Sequence, residues 1–155
     1  MLTSELVGIS RSYIVTAIER SGMSTILLSV DNDESRAKSQ AESLTRLDFD
    51  PESTHVRLFH VFTDNPSGAS VTQVGSVRRA KEILENAGYA VSLEGQSGEP
   101  AEEILTAAEE HDVDAISIAG RKRSPTGKAL FGSVTQEVFL NTDLPVLLTS
   151  ASKTE

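Results

Sequence analysis

The stretch Thr25-Ile-Leu-Leu-Ser-Val30, closed by Asp31-Asn32-Asp33, decides the fold. An apolar run this short, rich in strand formers and stopped by turn residues, predicts a buried strand. Directly after it Ala37, Ala41, Leu44 and Leu47 recur at helical spacing. Asn32 or Asp33 is placed to cap them, and Pro51 makes continuation costly. A buried strand feeding an amphipathic helix is the first half of a βαβ unit, so the rest of the chain is read for its repetition.

Outward from this unit the alternation continues. Residues 55–62 (His55-Val-Arg-Leu-Phe-His-Val-Phe62) predict a second strand, and Asp64-Asn-Pro-Ser-Gly68 has loop chemistry. Val71, Val74, Val77, Ile83, Leu84 and Ala87 form a helical stripe ended by Gly88, and residues 89–93 predict a third, shorter strand. Gly98-Glu-Pro100-Ala opens another helix, with Pro at a tolerated first-turn position, Glu102 and Glu103 where the macrodipole favours acid, and Ile104, Leu105 and Ala108 as its core face. Residues 113–119 predict strand four, 120–132 a basic, Gly-containing loop, and Ser133 caps a last helix through Val138 and Leu140. Residues 145–149 predict strand five. Strands alternating with helices demand a mainly parallel sheet covered on both faces and joined by right-handed crossovers. The expectation is a single doubly wound α/β domain over 23–150, with 151–155 as a tail.

Residues 1–22 read differently. Short apolar pieces (Leu6, Val7, Ile14, Val15, Ile18) mix with polar ones until Ser21-Gly22 stops them. This N-terminal extension is expected to lie outside the core, with Met23 as an alternative start. Glu5, Arg11 and Glu19 interrupt any signal-peptide h-region. No run approaches the roughly 18 apolar residues of a membrane span.

At 155 residues, 38% apolar and 24% charged, the chain suits one globular core. Its 23 acidic against 14 basic residues give a net charge of -9, which repels polyanions and excludes a general nucleic-acid binder. The absence of cysteine removes disulfides, thiolate chemistry and Cys-ligated zinc, and fits a reducing cytoplasm.

In a doubly wound sheet, ligands sit beyond the carboxyl ends of the strands where strand order reverses. Two such ends carry chemistry: strand one ends in Asp31, and strand four runs into Gly120–Ser133. Arg121, Lys122, Arg123 and Lys128 concentrate four of the 14 basic residues in that loop. Glycines that admit backbone N–H groups, next to a helix N-terminus, suit an anion, although a solvated loop fits the spacing equally well. It is not a Walker A loop, since Lys122 stands where that motif needs Gly and Ala129 where it needs Ser or Thr. Arg36 occupies the sharp-turn position of an EF-hand register starting at Asp31, which rejects calcium. His55 and His60 are five apart on a strand and face opposite ways, so they read as ordinary sheet residues, and His111 complements a helix dipole. No G-x-S-x-G elbow or nucleophile–base pair is present, so any catalysis would be slow nucleotide hydrolysis.

Val30-Asp31 and His60-Val61 at the strand ends, Gly98-Glu-Pro-Ala, Gly120…Gly132-Ser133-Val134, and Leu144-Pro-Val-Leu147 together resemble the universal stress protein family. The resemblance implies a five-stranded sheet ordered 3-2-1-4-5, dimers through the last strand, and in one branch ATP or AMP held by a G-x2-G-x9-G-[ST] loop. By position, it puts Asp31 at the adenine or ribose with Val30 beside it, and the Val61 backbone at the adenine. It puts Gly120 at the ribose and phosphate next to Ala119, and Gly132, Ser133 and Val134 at the phosphates. Magnesium could accompany the nucleotide through Asp31. Arg123 replaces the second motif glycine and the spacer is one residue short, so Arg123 either pairs with the phosphates, as Lys128 would, or crowds them. The implied function is an adenine-nucleotide-binding regulatory module. The alternatives are a nucleotide-free dimeric interaction protein of the same fold and a weak ATPase.

Overall fold

Successive side chains of a strand point to opposite faces, and Leu27 and Leu28, both fully buried, enter two different cores. The computed structural model of the chain describes residues 23–122, 129–130 and 132–151. The elements are β1 (Ser24–Ser29), α1 (Glu34–Arg46), β2 (Thr54–Phe62), α2 (Gly75–Asn86), β3 (Ala90–Ser97), α3 (Pro100–Glu110), β4 (Ala115–Lys122), β5 (Ala129–Leu130), α4 (Ser133–Leu140) and β6 (Val146–Ala151). Ile26, Leu28 and Val30 pack with Ala37, Ala41 and Leu44 of α1 and Val77, Ala80 and Leu84 of α2. Leu27 and Phe59 pack with Ile104 and Ala108 of α3, Ile116 of β4 and Val138 of α4. Each helix pair therefore covers one face of the sheet.

Five parallel strands run β3-β2-β1-β4-β6, the order that the resemblance implies. The sixth strand was not expected. The loop reading of 120–132 gives way to a longer β4, whose Arg121 and Lys122 pair antiparallel with Leu130 and Ala129. Arg121 pairs with Ala151 of β6 along one edge, so β5 takes the other edge, the one that β1 occupies lower down. Ala151 thus belongs to the last strand and not to a tail. The extension 1–22, residues Arg123 and Lys128, and 152–155 lie outside the described residues.

Three further boundaries differ from the sequence reading. The third strand continues to Ser97 because it pairs in register with all of β2 from His55 to Phe62. Its polar Glu94 is accommodated by Arg57 of the neighbouring strand and His111 at the C-cap of α3: Arg57 Nη2 at 3.2 Å and His111 Nε2 at 2.8 Å both reach Glu94 Oε1. Burial pushes the Glu94 carboxyl up, but hydrogen bonds from Gln96 and Arg57 and the charge and hydrogen bond of His111 outweigh it, leaving its pKa below the ordinary value. The Val71 stripe breaks into a 3-10 turn (Val71–Gln73) closed by a Ser70–Gln73 capping box, with Val74 extended before α2 starts. Strand four starts at Ala115, because Asp112 turns with φ of 50° and the Val113 N–H returns to Ala108 O.

Candidate functional site

The chain leaves β1 toward β2 through helices on one face, and β3 returns to β4 through α3 on the other, so strand order reverses between β1 and β4. β4 pairs with β1 only from Ala115 to Ser117, and above that point the two strands are not paired. A cleft of about 410 Å³ opens there, lined by Val30, Asp31, His60, Val61, Pro100, Ala119 and Gly132–Thr135 among others.

Separating β1 from its neighbour deprives its last peptide groups of ladder partners, and side chains replace them. Gln40 Nε2 donates to Ser29 O at 3.0 Å, His60 Nδ1 to Val30 O at 2.8 Å, and Ser76 Oγ to Asp31 O. Gln40, His60 and Ser76 are each at most 2% exposed. A carbonyl only accepts, so His60 carries its proton on Nδ1 in this contact. His60 is thus more than the ordinary sheet residue that the sequence suggests. Gln40 had a legible signal: it shares the α1 face of Ala37, Ala41 and Leu44, where a surface glutamine does not belong.

Asp31 stands at the rim, its side chain 45% exposed. Arg36 directs Nε and Nη2 to Asp31 Oδ2, both at 2.9 Å, while the Asp33 N–H reaches Oδ1 at 2.9 Å. Arg36 also lies 3.5 Å from Asp33 Oδ2, and its own N–H donates to Asp33 Oδ1 at 3.0 Å, which makes Asp33 the N-cap of α1. Sequence spacing alone marked Arg36 only as an obstacle to calcium. Both oxygens of the Asp31 carboxylate are thus engaged, Oδ2 by the guanidinium and Oδ1 by the Asp33 N–H.

Opposite Asp31, α4 begins. Gly132 is its N-cap, extended at φ of -68° and without a side chain to cap the helix, so Ser133 is its first residue and not the cap. A Cβ built on Gly132 has no described atom within 4 Å. Backbone donors of the first turn, to which Gly132 offers no N-cap side chain, therefore lie at the cleft beside Ser133 and Val134. Gly120 is not among the lining residues. Its Cβ direction points at Leu148 Cδ1, 3.1 Å away, so this glycine makes room for the neighbouring strand. Among the described residues no cluster of three or more His, Asp or Glu could hold a metal.

Residues 15–150 match the model of the universal stress protein family. The chain belongs to that family. A universal stress protein of Mycolicibacterium smegmatis is 35% identical over 80 residues, 51% of this chain and 62% of that relative, so the match spans less than two thirds of the relative's length. The structure of a universal stress protein from Archaeoglobus fulgidus superimposes with a TM-score of 0.65 at 28% identity, covering 81% of this chain and 98% of that one. A universal stress protein from the same organism in complex with dAMP has a TM-score of 0.58 at 20% identity, covering 83% and 98%. In this universal stress protein fold, the cleft brings together Val30, Asp31, Val61, Ala119, Gly132, Ser133 and Val134 of the residues expected from sequence. Gly120 is not part of that lining, and Arg123 and Lys128 fall outside the described residues. Arg36, Gln40 and His60 join the site without having been expected there. Among the described residues no helix is long and apolar enough to cross a membrane.

Proposed function

We propose that this chain binds an adenine nucleotide, ATP or AMP, in the cleft between Asp31 and the start of α4, and works as a nucleotide-responsive regulatory module. One observation carries the reading: a strand-end carboxylate and a helix N-terminus whose N-cap is a glycine line one crevice at the topological switch point. The phosphates lie on the backbone of Gly132, Ser133 and Val134, where the first-turn N–H groups and the helix dipole favour an anion. The adenine packs against Val61, and Asp31 takes the base or ribose. Arg123 and Lys128 pair with the phosphates. The dAMP complex of a protein with the same fold supports a nucleotide of this size as ligand. Such a ligand implies a cytoplasmic location.

The protein acts as a homodimer through β6. That strand pairs with β4 along one edge only among the described strands, and Leu148 on it, with Phe139 and Leu140 of α4, leaves large apolar side chains 41 to 75% exposed. An apolar edge of this kind is stabilised when a second copy pairs with it across a two-fold axis.

Calorimetric titration of the wild-type protein with ATP, ADP and AMP tests the reading. Saturable binding with one site per chain is expected. No heat of binding from any of the three at about millimolar concentration, roughly the weakest range that a specific site occupies, removes the nucleotide and leaves the interaction-protein alternative. Phosphate release above background would bring in the ATPase.

A further inference from the structure

Arg36 is at the third position of α1, after its N-cap Asp33. A helix start of this kind normally carries Glu or Gln there, to complete a capping box, and the dipole disfavours a cation in the first turn. A basic residue at that place acts against its own helix unless a local partner compensates. The compensation is visible: the Arg36 side chain is only 22% exposed and its guanidinium is spread over two carboxylates, with Nε and Nη2 on Asp31 Oδ2 and Nη1 toward Asp33 Oδ2. Asp31, Asp33 and Arg36 thereby close a ring that ties the rim of the cleft to the first turn of α1, and the Asp33 N–H holds the other Asp31 oxygen. Arg36 itself is not among the residues lining the cleft, whereas Asp31 is.

We infer that Arg36 is a positioning residue of the nucleotide site, fixing the Asp31 carboxylate in the orientation that receives the base and ribose of the ligand. This rests on the nucleotide reading above. A rim aspartate that turned freely would lose rotamer freedom each time a ligand bound. The planar guanidinium fork removes that loss in advance, which a flexible point charge does less well. Arg36 works through Asp31 and does not touch the ligand, so its effect vanishes when Asp31 can no longer be held.

The test is a double-variant cycle read by calorimetric titration with AMP, on the full chain, for the wild type, Arg36→Ala, Arg36→Lys, Asp31→Asn and the Asp31→Asn/Arg36→Ala pair, each with its melting temperature. Arg36→Ala weakens AMP binding by about 3- to 10-fold, the worth of ordering one side chain at a binding site. Arg36→Lys recovers part of that loss. In the Asp31→Asn background, Arg36→Ala adds less than about twofold, the range within which independent effects cannot be told from none. Equal losses in both backgrounds, or an Arg36→Ala protein that binds AMP as well as the wild type, overturn the positioning role while the nucleotide reading stands. A wild-type protein that binds no AMP, ADP or ATP overturns the nucleotide reading, and this inference with it.

Discussion

Gly132→Val separates the α4 start as a ligand site from the α4 start as a piece of structure. The residue is extended at φ of -68° and ψ of 166°, a region that a branched residue adopts without strain, and a Cβ there meets no described atom within 4 Å. Two stability effects oppose one another. Replacing Gly as N-cap by an apolar residue costs about 0.5–1 kcal/mol. Restricting the unfolded chain returns about 0.4–1 kcal/mol. The net lies within about 1 kcal/mol of zero, a shift in melting temperature of no more than about 4 °C for a chain of this length. Binding responds differently, because the valine methyls fill the space through which a phosphate approaches the backbone N–H groups. Losing one charge-assisted hydrogen bond costs about 1.5–3 kcal/mol. That is about 10- to 150-fold in affinity. Thermal melts and a calorimetric titration with AMP on the same preparation read both quantities. An affinity unchanged from wild type, in a variant that melts normally, refutes the placement of phosphates at the helix start. A fall in melting temperature beyond about 5 °C refutes the claim that Gly132 faces open space.

Three other outcomes follow from described contacts. His60→Phe keeps a ring in place but leaves the Val30 carbonyl without its 2.8 Å donor, so it lowers stability by about 1–3 kcal/mol in denaturant unfolding, and an unchanged midpoint would contradict this. Glu94 has a folded pKa below its ordinary value of 4.5, so its contribution is present above that value and is lost as pH falls through the lower, folded one. Melting curves of wild type and Glu94→Gln should therefore differ at neutral pH and converge as pH falls through the lowered folded value, and curves that stay parallel would show that the pairing with Arg57 and His111 contributes nothing. Light scattering should report a wild-type dimer at tens of micromolar, roughly the range in which a modest interface holds, and a monomer for Leu148→Lys; a wild-type monomer rejects the β6 dimer.

The parallel order of the sheet was legible because each strand core is short and apolar and each helix shows its spacing on one side. The ends were not, and the reason is tertiary. Glu94 and Gln96 look like the close of a strand until β2 supplies the ladder and Arg57 and His111 the partners. Arg121 and Lys122 look like loop until Ala129 and Leu130 return to pair with them. At the site, the switch-point rule marked the Asp31 strand end and the Gly120–Ser133 loop, while the strand order and the roles of Gly132–Val134 came from the family resemblance. The packing reason for a glycine at 120 was not legible, since the contact that explains it comes from Leu148, 28 residues later in the chain. Ser76 was hidden because its partner, the Asp31 carbonyl, lies 45 residues away.

The three carbonyls at the end of β1 have a consequence for cooperativity. Their donors come from α1, β2 and α2, so the floor of the cleft exists only when all three elements have docked on β1. A partly unfolded chain that had lost any one of them would lose the floor as well. The proposed ligand would therefore depend on the whole first half of the domain as well as on β4 and α4, and once held there would oppose the opening of that half as a unit. Amides throughout α1, β2 and α2, many of them far from the crevice, would slow their hydrogen exchange together when the cleft is filled.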